Sequence, residues 1–176
     1  MIGAGIPKKK PVATASPDFE AKICPPEQLI ERAARLPRPL VFTNGCFDIL
    51  HRGHVTYLAE ARALGASLVV ALNTDASVRR LGKGAERPIN PLADRVALVA
   101  ALASVDLVTW FADDTPLAAI LAVTPDVLVK GGDWSVERIV GAEQVIAWGG
   151  RVESIPFRHE RSTSALIDRV RAIGDT

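Results

Sequence analysis

The chain has 176 residues, 48% apolar and 23% charged, with a formal net charge of +1 at neutral pH. That length holds one domain with a sizeable core, the composition is globular, and the near-neutral balance gives no electrostatic hold on nucleic acid. No run of roughly 18 apolar residues occurs, so no membrane span is expected.

Residues 1–24 are rich in Pro, Ala, Lys and Gly without periodicity, and are expected to form a flexible tail whose Lys8–Lys10 cluster is solvated. The tail lacks the apolar centre of a secretory signal. Cys24 and Cys46 have no metal-site spacing, and reduced thiols in a cytoplasmic protein are expected. Residues 25–176 then form a single domain. Pro25-Pro26 opens a helix to about Leu36, ended by Pro37 and Pro39. Leu40–Thr43 is a short buried strand. After it comes Thr43-Asn44-Gly45-Cys46-Phe47-Asp48-Ile49-Leu50-His51-Arg52-Gly53-His54, and then a helix to about Leu64 on which Val55, Leu58, Ala59 and Arg62 lie on neighbouring turns, with Gly65 as its stop. Ser67–Leu72 is the second strand, which makes a right-handed unit of two parallel strands around a helix. Thr74 or Asp75 caps a short helix to Leu81, or meets a ligand.

The loop Gly82–Pro91 is bounded by glycine and carries Lys83 and Arg87. Asn90 as cap and Pro91 in the first turn open a helix to about Ser104, with Leu92, Val96, Val99 and Ala103 as its core stripe. Arg95 is off that stripe and faces a pocket or solvent. Val105–Trp110 is a strand, and Thr115 caps the next helix, with Asp113 and Asp114 suiting its dipole. Asp126–Val129 is a buried strand ending in Lys130-Gly131-Gly132-Asp133-Trp134. A helix over Ser135–Trp148 and a last strand over Arg151–Pro156 follow. Ser162-Thr163-Ser164 opens the final helix, whose stripe is Leu166, Ile167, Val170 and Ile173. The expected fold is α/β, a Rossmann-like, doubly wound parallel sheet of about five strands with helices on both faces.

Such a sheet places ligands at the carboxyl ends of its strands. Three of those ends carry polar or flexible residues: 43–54, 73–83 and 130–134. In the first, His51 and His54 stand at i and i+3 where a helix begins, and unpaired N–H groups there favour an anion. Gly45 allows a tight turn and Gly53 a close approach. The combination is a polyphosphate pocket with two imidazole donors able to stabilise charge as a P–O bond breaks.

The segment G-C-F-D-I-L-H-R-G-H resembles the signature of the nucleotidyltransferase superfamily with the H-x-G-H motif, and Thr43–His51 with Val129–Asp133 is most similar to the bacterial heptose 1-phosphate adenylyltransferases. The resemblance covers about Leu36–Ile173. It implies transfer of AMP from ATP to D-glycero-D-manno-heptose 1-phosphate, releasing pyrophosphate and giving ADP-heptose for lipopolysaccharide or other surface glycans. By the same resemblance His51, His54 and Lys83 are catalytic. Thr43, Asn44, Gly45, Cys46, Phe47, Gly53 and the run Ser162, Thr163, Ser164 join them in binding ATP. Asp48, Arg87, Lys130, Gly131, Gly132 and Asp133 are placed near the acceptor or ribose. Mg²⁺ accompanies ATP without direct protein ligands. Ser164 stands where relatives have Thr, and Arg161 replaces an expected apolar or aromatic residue. Many relatives carry a fused sugar kinase. This chain is too short for one, so a separate heptose 7-phosphate kinase is expected, along with a homodimer.

Three other readings stay open. A cytidylyltransferase for glycerol 3-phosphate or another polyol phosphate shares the fold and differs in base and acceptor; Lys130 argues against it. A non-catalytic nucleotide-binding module keeps the pocket without needing an aligned histidine pair. A dinucleotide-binding domain lacks its G-x-G-x-x-G after the first strand.

Overall fold

The computed structural model describes residues 16–82, 84, 86–159 and 162–174. Five parallel strands make one sheet: β1 (Leu40–Gly45), β2 (Ser67–Asn73), β3 (Leu107–Phe111), β4 (Val127–Gly131) and β5 (Arg151–Ile155), in the order β3-β2-β1-β4-β5. The helices are α1 (Leu29–Ala34), α2 (Arg52–Arg62), α3 (Asp75–Arg80), α4 (Leu92–Ala100), α5 (Leu117–Val123), α6 (Ala142–Ala147) and α7 (Thr163–Gly174).

The strands read as unbroken apolar runs because both faces of the sheet are covered. All seven residues of β2 are buried. Alternation along each strand divides the core in two. Leu40, Phe42, Val69, Ala71 and Leu128 face α1, α5 and α6. Val41, Leu68, Val70, Val108 and Val129 face α2 and α4. The doubly wound expectation therefore holds, and each large core side chain contributes about 1.5–3 kcal/mol. β1 pairs with β2 on one side and β4 on the other. The chain reverses direction across the sheet between β1 and β4, and the crevice above that reversal is where a ligand fits.

Several local expectations are corrected. The chain joins the fold before residue 25. Asp18–Lys22 forms a short 3-10 helix, Ile23 bridges to Val108, the Cys24 amide donates to Val108 O at 2.8 Å, and Cys24 is fully buried. This segment covers the outer edge of β3, which an apolar count could not foresee. The buried face of α2 is Gly53, Tyr57, Leu58 and Ala61, while Val55 is exposed. On α4 the buried set is Arg95, Val96, Val99 and Ala100, and Ala103 lies outside the helix and is exposed. Asn90 does not cap α4; its amide donates to Asp48 O at 2.6 Å, and Pro91 stands at the cap position. Pro116, not Thr115, precedes α5. The helix expected over 135–148 is a 3-10 turn at Val136–Arg138 and then α6, divided at Gly141, whose φ of +86° a helix cannot include. The α7 stripe is not buried: Val170 is 69% and Ile173 68% exposed.

Candidate active site

The end of β1 builds the site. Phe47 takes a left-handed φ of +46°, which turns the chain sharply toward α2. The ring of Phe47 folds back over Gly45, where a Cβ would lie 2.9 Å from it. Glycine at 45 thus makes room for a side chain, while the turn itself sits at Phe47. His51 caps α2: its Nδ1 accepts from the His54 amide at 3.4 Å. The two imidazoles stack, with centroids 3.8 Å apart and planes 16° apart, and Phe47 meets His54 edge-on at 5.2 Å. Gly53 lets the rings come together, since a Cβ there would lie 3.1 Å from the His51 ring.

A cavity of about 380 Å³ opens on this constellation. Asn44, Gly45, Cys46, Phe47 and His54 line one side, with Gly131 and Gly132 from the end of β4 opposite and Thr163 from the start of α7 at one end. His51 stands behind His54 and fixes it. Thr43 does not reach the cavity. It is fully buried, and its hydroxyl bonds the Tyr57 hydroxyl at 2.5 Å, so its place is under the floor. The serine-threonine run divides. Ser162 caps α7 by accepting from the Ala165 amide at 3.1 Å, Thr163 is buried against the cavity, and Ser164 is exposed. Lys83 and Arg161 lie outside the described residues.

The acceptor set also divides. Lys130 lines the cavity, with its ammonium 3.5 Å from Asn44 Oδ1. Asp48 and Arg87 border it but face each other in an ion pair, with side chains 0% and 5% exposed. Asp48 also accepts from the Ile89 amide at 2.8 Å and the Asn90 amide at 2.9 Å. The carboxylate's oxygens are occupied by protein donors, so the pair clamps the 87–90 loop to the turn after β1. Asp133 is exposed and lines no cavity there.

Two residues that sequence reasoning passed over, Tyr57 and Phe157, shape the site, as does Arg95, which the sequence left facing a pocket or solvent. Tyr57, one turn beyond His54 on α2, lies under the cavity, and burial pushes its phenol well above the usual range. Phe157 packs edge-on to Tyr57 at 5.8 Å and lines the mouth. Arg95 is fully buried and donates to Cys46 O at 2.7 Å, Asn90 O at 3.0 Å and Asp75 at 2.6 Å. It ties together the loops after β1, after β2 and before α4. The i+3 spacing from His54 to Tyr57 was a usable signal; Arg95 stood out by being off the apolar stripe, but its partners are distant in sequence and could not be named.

A crevice at the switch point, an imidazole beside a helix N-terminus and a second helix N-terminus at the far end together form a site for a nucleoside triphosphate. The chain belongs to the cytidylyltransferase-like family, whose model matches residues 42–169. It is 57% identical over 159 residues to the D-beta-D-heptose 1-phosphate adenylyltransferase of Bordetella bronchiseptica, covering 89% of this chain and 98% of that one. It is 58% identical over 137 residues to the bifunctional protein HldE of Alkalilimnicola ehrlichii, where the match spans 78% of this chain and 28% of that protein. Among solved structures, the lipopolysaccharide core biosynthesis protein of Thermoplasma volcanium superposes with a TM-score of 0.56 at 30% identity, over 69% of this chain and 98% of that one.

Proposed function

We propose that this chain is a heptose 1-phosphate adenylyltransferase that transfers AMP from ATP to D-glycero-D-manno-heptose 1-phosphate, giving ADP-heptose and pyrophosphate. The observation that carries this reading is the cavity in which His54, Lys130 and the α7 N-terminus converge, in a chain 57% identical to an enzyme of that name. The name of the Bordetella relative supports the β anomer as acceptor.

A phosphate oxygen of the sugar forms a bond to the α-phosphorus, and the bond from that phosphorus to the β-phosphate oxygen breaks. Pyrophosphate leaves with the electron pair. The attacking phosphate is already anionic, so no base removes a proton, and catalysis rests on positioning and charge stabilisation. His54 donates to the phosphate oxygens where charge builds, and His51 holds its ring in place. Thr163 and the first amides of α7 receive the departing pyrophosphate. Lys83 neutralises it from the 82–91 loop. Lys130 neutralises the incoming phosphate. Mg²⁺ enters with ATP. In this reading the ion would neutralise charge on the phosphates while keeping several of its waters.

In this reading the enzyme works in the cytoplasm, downstream of a sugar kinase, and as a homodimer, which light scattering on the purified chain checks. Among the described residues no helix is long and apolar enough to cross a membrane. Incubation with Mg-ATP and D-glycero-β-D-manno-heptose 1-phosphate, followed by mass spectrometry, tests the reading. ADP-heptose and pyrophosphate in equal amounts are expected. Folded protein that binds ATP but forms neither would refute it.

A further inference from the structure

β1 and β4 part company under the cavity. Their pairing runs Val41–Val127, Phe42–Leu128 and Thr43–Val129 and stops there, while β1 stays paired with β2 as far as Gly45 and Leu72. Beyond the last pair, Asn44–Phe47 and Lys130–Gly132 stand apart as opposite walls. The Tyr57 hydroxyl lies at that fork, bonded to the Thr43 hydroxyl at 2.5 Å and donating to Val129 O at 3.4 Å. We infer that Tyr57 is a positioning residue for the transfer: its hydroxyl, joined to that of Thr43, fixes α2 at the fork and so holds His54 against the reacting phosphates. This role rests on the function proposed above and adds to it a residue that acts through His54.

Three observations carry it. The first is place. Thr43 and Val129 are the last residues that β1 and β4 pair, and the hydroxyl of Tyr57 touches both. One bridge thus joins two strands and α2 where the crevice opens. Tyr57 stands about one turn from His54 on α2, so a shift at the fork reaches the imidazole through a rigid helix. The second is cost. Tyr57 is 4% and Thr43 0% exposed, in a core otherwise made of side chains such as Val41, Leu58, Leu68 and Val70. Phenylalanine and valine would fill the same space without two hydroxyls to desolvate. A buried, mutually satisfied polar pair that packing does not need selects one geometry of the fork. The third is division of labour within the side chain. The ring meets Phe157 edge-on at 5.8 Å, and a Cβ on Gly131 would lie 2.7 Å from the Phe157 ring and 3.2 Å from the Tyr57 ring. The ring therefore supports the β4 wall by packing, and the hydroxyl fixes the β1 and α2 side. Removing the hydroxyl alone separates the two.

The test uses Tyr57→Phe, Thr43→Val and the double variant, each of which keeps the shape of the core and is expected to fold. Steady-state kinetics with Mg-ATP and heptose 1-phosphate are read per folded molecule. A misplaced His54 is felt in the transition state, so kcat and kcat/KM for ATP fall together by about tenfold or more in Tyr57→Phe, with the ATP KM within about twofold. The double variant is no slower than the slower single one, because the two hydroxyls make one bridge. Thr43→Ser, which keeps the hydroxyl, recovers most of the loss seen in Thr43→Val. A purely structural role would lower the melting temperature and leave kcat per folded molecule at the wild-type value. That result, or losses that multiply in the double variant, overturns the inference. NMR of the imidazole ring protons gives a readout that needs no turnover. The His54 signals shift in Tyr57→Phe, while the indole signal of Trp148, which donates to Pro125 O at the far end of the sheet, stays in place. Unmoved His54 signals overturn the positioning role whatever the enzyme transfers. Shifted His54 signals in a protein whose wild type turns over no sugar phosphate leave that role standing and overturn the proposed activity alone.

Discussion

Arg95 is a fully buried cation, and it shows how single residues hold this site in shape. Its three contacts, to Cys46 O, Asn90 O and Asp75, leave little of the guanidinium unused. Asp48 and Arg87 do the same for the next loop. Removing one partner of a buried pair strands the other charge. Asp48→Ala is therefore expected to cost about 3–5 kcal/mol of stability, read by urea denaturation; a loss under about 1 kcal/mol, the range of an exposed pair, would show the clamp to be idle. His54 has a different role. His54→Ala should lower turnover by roughly two to three orders of magnitude, the usual cost of one transition-state donor, with the melting curve little changed. Tyr57 offers an optical check, because it is the one tyrosine in the chain. Burial raises its pKa, and the Thr43 hydroxyl offsets this only in part. The folded value lies above the unfolded one, so the stabilisation is complete below the unfolded pKa of about 10. It is lost as pH rises through the folded value. The folded protein should show no tyrosinate absorbance near pH 10, where a denatured sample is about half ionised. Equal titration of both would place Tyr57 in solvent.

At the scale of elements, the site depends on how strand ends are joined. The turn from α2 to β2 packs against the start of β1. There a Cβ on Gly65 would lie 2.4 Å from Pro39 O and 2.6 Å from the Val41 side chain. Backbone cannot step aside as a side-chain tip can, so Gly65→Ala is an overpacking change. It is expected to destabilise by about 1–3 kcal/mol, and thermal unfolding that matches wild type would contradict the packing described. The 82–91 loop and α7 are tied by Glu86 and Arg171 at 3.0 Å. The Glu86 carboxyl is held below its usual range first by its own backbone amide and then by Arg171. With the folded pKa depressed, the tie is present above the unfolded value and released as pH falls through the folded one. A carboxyl titration followed by NMR should place Glu86 below an ordinary glutamate, and an ordinary midpoint would dissolve the tie. Both elements border the cavity, through Arg87 and Thr163.

For the whole molecule, what could be read from the sequence followed physical signals of short range. Apolar runs, proline and glycine stops and helix periodicity placed all five strands. The string from Thr43 to His54 marked the site, because a turn, two imidazoles and a helix start lie in a single stretch. Long-range geometry was out of reach. An arginine off a helix's apolar stripe reads equally as facing a pocket or solvent until Asp75 and two carbonyls surround it. Asp48 stands out in the motif, but nothing in the sequence shows that Arg87 pairs with it. The expected stripe on α7 failed for a related reason, since periodicity shows which residues share a face but not what covers that face.

The most direct measurement is pyrophosphate release with Mg²⁺, crossing ATP and CTP with heptose 1-phosphate and glycerol 3-phosphate. Turnover with ATP and the heptose 1-phosphate, and at most a trace with the other three pairs, is the predicted result. Turnover with CTP and glycerol 3-phosphate, or silence from folded protein across all four, would contradict it.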